Sequence, residues 1–251
     1  VQYQFLRRGC RRAGNMLPLM LWLVGGAVAG SAANAIMYRL PQGLAWWKGR
    51  SLCPRCKHTL AWYDLLPLLS YLILGGKCRY CHRLIPLRYL LVELIMALGF
   101  AYFHSPLLAG LLFVTVIIAV MDWETQLISD VTIILWGLLV IANQILNSQF
   151  SILNFYGLLV GTGLIGGIWA ISRGKAMGFG DVEIAAVLGL WLGWPKIAPA
   201  LWISFVAGAV VGIWYLAVGR KKLKSRIAFG PFLILGGWLA YLIQLKYVLP
   251  F

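Results

Sequence analysis

Runs of apolar residues recur along the whole chain, at about 16–38, 86–104, 106–121, 131–146, 153–172, 181–192, 198–218 and 229–248. Lipid offers no water to satisfy backbone N–H and C=O groups, so apolar runs of about 20 residues cross a bilayer as helices. Only 12% of the 251 residues are charged, against 61% hydrophobic and a mean hydropathy of +0.84. A soluble domain carries about twice that charge. The expected fold is an all-α polytopic membrane protein with about eight transmembrane helices, the lipid bilayer being its first partner.

The net charge of +15 does not point to nucleic acid. Lys and Arg sit in loops and tails, as the positive-inside rule requires, and no basic stripe interleaved with aromatics lies in a soluble domain. Several aromatics, among them Trp46, Trp47, Tyr102, Trp123, Trp194 and Tyr247, fall near segment ends, where interfacial belts account for them.

Three regions follow. Residues 1–38 hold a tail with Arg7, Arg8, Cys10, Arg11 and Arg12, then a first membrane helix. A basic stretch before an apolar run also fits a signal peptide, but the run continues to about Tyr38 without a clear cleavage site. Its face of small residues, Gly25 to Asn34, favours close helix packing. Residues 39–88 are the longest polar stretch and carry two CxxC pairs, Cys53 with Cys56 and Cys78 with Cys81. Four thiolates in two knuckles supply a closed tetrahedral site, and zinc is the usual occupant. Free thiols or two disulfides are the other reading. A closed site is structural, stapling a subdomain too small to be secure on its core alone. His58 and His82 flank the knuckles and are read as surface residues. Residues 89–251 form the multi-helix membrane core.

The chemistry is in the acids, of which there are seven: Asp64, Glu93, Asp122, Glu124, Asp130, Asp181 and Glu183. An acid at a membrane boundary is costly and marks a functional site by default. Asp122 ends the third apolar run, where neither capping nor the helix dipole favours it. Asp130, after Ser129, fits a helix N-cap, and Glu124 lies in a solvated turn. Asp181 closes a glycine turn, Gly178-Phe179-Gly180-Asp181, ahead of the sixth run; it reads as an N-cap or as a functional acid. The glycines allow a close backbone approach. Glu93 reads as a packing acid or a functional one.

Two acids at two boundaries suggest an aspartyl dyad. Carboxylates held together share one proton, so one activates water while the other donates to the scissile group. The three histidines lie away from both loops, leaving no Ser-His or Cys-His alternative. Two other classes stay open: an ion-coupled transporter using the aspartates as a relay, and a non-catalytic assembly factor that docks through its zinc module.

With eight spans, alternate loops share a side. The loops at 39–88, 122–130, 173–181 and 219–228, the last holding the basic run Arg220 to Arg226, carry 16 Lys and Arg against 6 on the other side. That bias puts the cysteine region and both aspartate loops in the cytoplasm, where a reducing milieu suits thiolate-bound zinc. The arginines of the N-terminal tail oppose it.

At these residues the sequence resembles the type IV prepilin peptidases, leader peptidases of pili, type II secretion and competence systems. Their Gly-x-Gly-Asp motif reads here as Gly178-Phe179-Gly180-Asp181. Their other aspartate stretch reads from Asp122 to Ile128-Ser129-Asp130, with Ser129 in place of the usual Pro. Further matches run through Gly30 to Pro41, Tyr63-Asp64 to Ser70, Gly76 to Arg79, Arg88 to Glu93 (Leu90 standing where Pro is common) and Phe229-Gly230-Pro231-Phe232. The resemblance implies Asp122 and Asp181 as the catalytic pair, with Gly178, Gly180 and Asp130 supporting the motif. It implies a multi-pass protein of the bacterial inner membrane that cuts a prepilin or pseudopilin after a Gly on the cytoplasmic face. It also implies N-methylation of the new N-terminus by S-adenosylmethionine in the cysteine region, with Gly76 and Lys77 as methyl-transfer candidates. Because the positive loops repel a basic leader, its recognition is expected from the groove and from Glu124 and Glu183.

Overall fold

A computed structural model describes residues 16–45, 49–218 and 228–246. The arginine-rich tail with Cys10, Trp46, Trp47, Tyr247 and the basic run Arg220 to Arg226 lie outside the described residues.

The chain is an all-α, multi-pass membrane protein. Its helices are α1 (Met16–Arg39), a short α2 (Leu69–Ile73), α3 (Leu87–Phe103), α4 (Pro106–Thr125), α5 (Asp130–Leu146), α6 (Ile152–Ser172), α7 (Phe179–Leu192), α8 (Ile197–Ala217) and α9 (Gly230–Lys246). Each expected apolar run is a helix, but they are not equal in length. Among the described residues four stretches, Leu17–Gln42, Pro106–Thr125, Ile152–Ser172 and Ile197–Ala217, are long and apolar enough to cross a membrane. The expectation of about eight such spans is therefore only partly met. Helices α3, α5 and α9 have 17 residues, and α7 has 14. At 1.5 Å per residue α7 is roughly 21 Å long, short of a hydrocarbon core of about 30 Å.

Local chemistry sets the helix ends. Pro106 opens α4, where its missing N–H is no loss. Ser151 caps α6: its Oγ accepts from Leu153 N–H, and Asn154 Oδ1 accepts from Ser151 N–H at 2.8 Å. Arg173 and Gly174 then turn left-handed, with φ of 51° and 72°, and release the chain into the glycine turn. Two boundaries differ from expectation. Helix α4 runs one turn past Asp122, to Thr125, and Gln126 N–H closes that turn by donating to the Asp122 carbonyl at 2.9 Å. Ser129, in extended conformation, is the N-cap of α5, and Asp130 is its first residue, exposed.

The chain divides into two compact units, Val1–Phe113 and Val114–Phe251. In the first, the small-residue face of α1 packs on α3, as expected: Gly26 lies against the backbone of Met96, and Gly30 against that of Glu93. Such contacts let helices approach in lipid, where hydrophobicity alone does not drive them together. The 39–88 stretch does not separate as a subdomain of its own. It is tied to α3 by Leu68 N–H donating to Glu93 Oε2 at 2.8 Å, while α1 and α3 are themselves joined by Asn34 Nδ2 donating to Tyr89 O at 3.1 Å. Glu93 thus holds the segment leading into α2, which is the packing role.

In the second unit α7 is the central helix, packed against α6, α9 and α5. Gly157 and Gly161 of α6 meet the backbone of Gly189 and Ala185 on α7. Buried polar side chains tie the helices to one another. Gln144 Nε2 donates to Trp191 O at 2.7 Å, Asn154 Nδ2 to Leu190 O at 2.9 Å, and Trp238 Nε1 to Thr115 Oγ1 at 3.0 Å. Large apolar side chains such as Leu138, Leu159, Val210 and Ile213 face outward, as a lipid-facing surface requires.

Candidate active site

Both candidate aspartates lie in the second unit and both are buried, Asp122 at 5% exposure and Asp181 at 6%. Asp122 occupies the last turn of α4. Its Oδ2 accepts the N–H of Gly230, the first residue of α9, at 3.0 Å. Asp181 is the third residue of α7, so it is not the N-cap; Gly178 is. From that position its Oδ2 reaches back to accept Gly178 N–H at 3.1 Å. Each carboxylate therefore sits at a helix N-terminus, the end where N–H groups point outward and the dipole is positive. The two are close enough for the charge on Asp122 to act on Asp181.

Glycines make this approach possible. A Cβ on Gly230 would stand 2.6 Å from Asp122 Oδ2 and 3.0 Å from Ile184 Cδ1. Ile184, fully buried, follows Asp181 by about one turn. Gly230 is thus wedged between one acid and the helix that carries the other. A Cβ on Gly180 would stand 2.6 Å from Ile128 Cδ1. The α7 glycine turn and the loop after α4 accordingly pack directly on each other. Gly178, in extended conformation at φ −76°, supplies the N-cap and an N–H rather than a positive φ.

The sequence offered Gly230 only as part of Phe229-Gly230-Pro231-Phe232 and Ile128 only as part of Ile128-Ser129-Asp130, and it did not offer Ile184. The signal for Gly230 was a glycine just ahead of a helix-starting proline, a place where an N–H is open to a ligand. Of the other acids, Glu124 and Asp130 are exposed and Glu183 is half-buried. Asp130 and Glu183 are near enough for their charges to interact. Glu93 belongs to the first unit and takes no part in this grouping.

The cysteines assemble a second centre, in the first unit. The four Sγ atoms of Cys53, Cys56, Cys78 and Cys81 all lie within 4.8 Å of one another and are free thiols. The two knuckles repeat one geometry. Cys53 N–H donates to His58 O and Cys78 N–H to Arg83 O, while Lys57 and His82 turn with φ of 58° and 54° and donate back to Cys53 O and Cys78 O. Burial opposes ionisation of Cys53, but the N–H groups of Cys56 and Arg55 and the adjacent thiols outweigh it, drawing Cys53 down to about 7. Four such sulfurs fit a tetrahedral metal ion bound at about 2.3 Å per bond. His58 bonds Thr59 O through Nδ1 and stacks on Tyr80, outside the sulfur cluster. Gly76 is buried with φ +69°, and Lys77 is exposed.

Comparison with known proteins identifies the family of the chain. The model of the bacterial peptidase A24 N-terminal domain matches residues 23–106, and that of the type IV leader peptidase family matches residues 109–213. The chain is 35% identical over 216 residues to a prepilin leader peptidase/N-methyltransferase of Aeromonas salmonicida, covering 77% of this chain and 71% of that protein. It is 32% identical over 260 residues to one of Pseudomonas aeruginosa, covering 86% and 87%, and 31% identical over 262 residues to one of Legionella pneumophila, covering 89% and 91%. No solved structure matches. With both halves of the chain matched in order, and with full-length relatives at this identity, the chain belongs to the type IV leader peptidase family.

Proposed function

We propose that the chain is an aspartyl endopeptidase that removes the leader from prepilins or pseudopilins and then N-methylates the new N-terminus. The observation that carries the peptidase reading is the burial of Asp122 and Asp181 at two helix N-termini, close enough to interact. A buried, interacting pair of carboxyls holds one proton between them. The ionised member takes a proton from water as the water attacks the scissile carbonyl. The protonated member gives its proton to the carbonyl oxygen; when the diol intermediate collapses, the member that took water's proton passes it to the leaving amine, and a diol hydroxyl returns a proton to the other member. Gly230 and Gly178 N–H groups keep one oxygen of each carboxyl fixed, leaving the other for this work.

The eight long helices all cross the membrane in this reading, the shorter ones accommodated by local thinning of the bilayer. Lys and Arg bias puts the aspartates on the cytoplasmic side of the bacterial inner membrane. Glu183, two residues after Asp181, and Asp130 are near one another, and their charge would attract the basic leader. The exposed rings of Trp123 and Phe179, next to the two acids in sequence, suit the apolar part of the substrate. The four cysteines hold a structural zinc ion that pins the two knuckles of 39–88, which is read as the cytoplasmic module.

The test is to incubate the purified protein with a prepilin and read the product by mass spectrometry, with and without S-adenosylmethionine. Loss of the leader alone establishes the peptidase, and loss of the leader plus one methyl group establishes both activities. A substrate left intact while a known family member cuts it in parallel would refute the peptidase reading for that prepilin.

A further inference from the structure

The stretch from Leu65 to Gly76 holds no charged residue, and seven of its twelve residues are Leu or Ile. An apolar run of about 10–14 residues is too short to span a bilayer; it is buried in a core or laid at a membrane interface. This one is not buried. Leu69, Leu72 and Ile73 share one face of α2 by their i, i+3, i+4 spacing and are 56%, 67% and 76% exposed. Half-buried Ser70 and Tyr71 take the other face, where Tyr71 Oη donates to Ile85 O at 3.3 Å. The apolar side of α2 thus faces out and its polar atoms face in, the reverse of a helix packed against a core in water.

Two hydrogen bonds set the depth of this segment against the helices of its own unit. Leu68 N–H donates to Glu93 Oε2 at 2.8 Å, and Glu93 is the seventh residue of α3, about 9 Å along its axis. Gly30 of α1, which packs on the Glu93 backbone, lies nine residues before that helix ends, about 13 Å. At the other end of the segment Gly76 O accepts from Ile85 N–H, two residues before α3 begins. The chain therefore rises from the level of Glu93 to the start of α3, with α2 between. Exposed Leu91, Leu94 and Ile95 of α3 flank Glu93 and continue the apolar surface at that level. The backbone of the segment is closed on itself: the N–H groups of Leu69, Ser70, Leu72 and Leu74 donate to the carbonyls of Pro67, Leu66, Leu68 and Ser70, as a segment out of water requires.

We propose that residues 65–74 insert into the headgroup–acyl boundary of the bilayer, with Leu69, Leu72 and Ile73 of α2 among the lipids. The proposal rests on the reading above that α1 and α3 cross the membrane. Interfacial helices sink their apolar face about 5–10 Å into this boundary, which is the interval between the start of α3 and Glu93. Trp62, exposed three residues ahead of the run, is the ring type that settles at headgroup level. The charge next to the run is kept out of it, since Asp64 is held by Arg79 at 2.8 Å and by Tyr80 Oη at 3.2 Å. Cys78 follows Gly76 by two residues, so insertion holds the cysteine centre at the membrane surface. The stretch 39–88 is then a water-facing module with one apolar segment in the lipid.

The test places a nitroxide side chain, carried on a non-natural amino acid so that the cysteines stay intact, at Leu72, Ile73, Leu98 or Arg55. Each full-length protein is reconstituted in vesicles of phosphatidylcholine and phosphatidylglycerol. Electron spin resonance then compares collisions with oxygen, which concentrates in lipid, and with a nickel chelate, which stays in water. Leu72 and Ile73 should meet oxygen and not the chelate, at about 5–10 Å below the phosphates. Leu98, exposed and further along α3, should lie deeper, and Arg55, exposed in the first knuckle, should meet the chelate. Chelate contact at Leu72 and Ile73 with Leu98 still in lipid overturns the proposal and leaves the crossing of α3 intact. Protection of Leu72 and Ile73 from both reagents also overturns it, because protein then covers the face, either a second copy of the chain or the apolar helix of a substrate. Chelate contact at Leu98 refutes the crossing of α3 and the proposal with it.

Discussion

Gly230→Ala isolates the geometry around Asp122, because alanine keeps the N–H and adds only a methyl group. That carbon would stand 2.6 Å from Asp122 Oδ2 and 3.0 Å from Ile184 Cδ1. Carbon–oxygen contacts relax at roughly 3.3 Å, so the carboxylate or α9 must shift by about 0.7 Å. If the carboxylate moves away, the 3.0 Å bond from the Gly230 N–H stretches to roughly 3.7 Å and is lost. A hydrogen bond to a charged group contributes about 1.5–3 kcal/mol, equal to a factor of about 10–150 in rate. A misplacement approaching 1 Å in a catalytic group costs a comparable factor of about 100. We therefore expect kcat for leader removal to fall about 10- to 100-fold with KM little changed. Overpacking should also lower stability by about 1–3 kcal/mol. The assay is steady-state cleavage of a prepilin in detergent, with thermal unfolding run in parallel. A Gly230→Ala protein with kcat within about twofold of wild type would refute the claim that this contact positions Asp122.

Gly180→Ala should slow cleavage about tenfold or more by pushing Ile128 Cδ1 from its 2.6 Å position. Adding Ile128→Val removes that atom and should restore part of the rate; no recovery would locate the defect elsewhere. The purified protein should carry about one zinc ion per chain by elemental mass spectrometry, with Cys78→Ser or a chelator lowering both metal content and melting temperature. A metal-free protein with an unchanged melt would refute the structural zinc. Asp64 titrates below the usual carboxylate value: burial acts upward but is outweighed by Arg79, Ala61 N–H and Tyr80. Its stabilising effect is therefore complete above the unfolded value of about 3.9 and is lost as pH falls through the lower folded value. The melting difference between wild type and Asp64→Asn should be steady at pH 5–7 and shrink below about pH 4; a difference that grows on acidification would show the sign to be wrong.

What the sequence made legible was what is local. Each apolar run became a helix within a few residues of its expected bounds, because period and length are enough to specify one. The CxxC pairs announced their cluster, since two-residue spacing builds a knuckle without help from distant chain. Asp122 looked unexplained for the opposite reason. Its hydrogen-bond donor is Gly230, 108 residues away, and no window of sequence contains both. Asp130 was read as an N-cap on residue type, but Ser129 adopts the extended backbone and takes that place. Helix α7 ends where the apolar run at 181–192 was expected to end. Gly193, at φ +71°, ends it after 14 residues. Asn34 lay within a stretch read for its small residues, and only the fold shows that its amide spans two helices and leaves one oxygen unmet.

The central claim is that Asp122 and Asp181 are the two acids that cut the leader. Asn is nearly isosteric, and its Oδ1 can still accept from Gly230 or Gly178 N–H, so Asp122→Asn and Asp181→Asn should fold as the wild type does. Measured on the same prepilin at saturating substrate, each should cleave at least about a thousandfold more slowly than wild type. Wild-type cleavage by either variant would contradict the account.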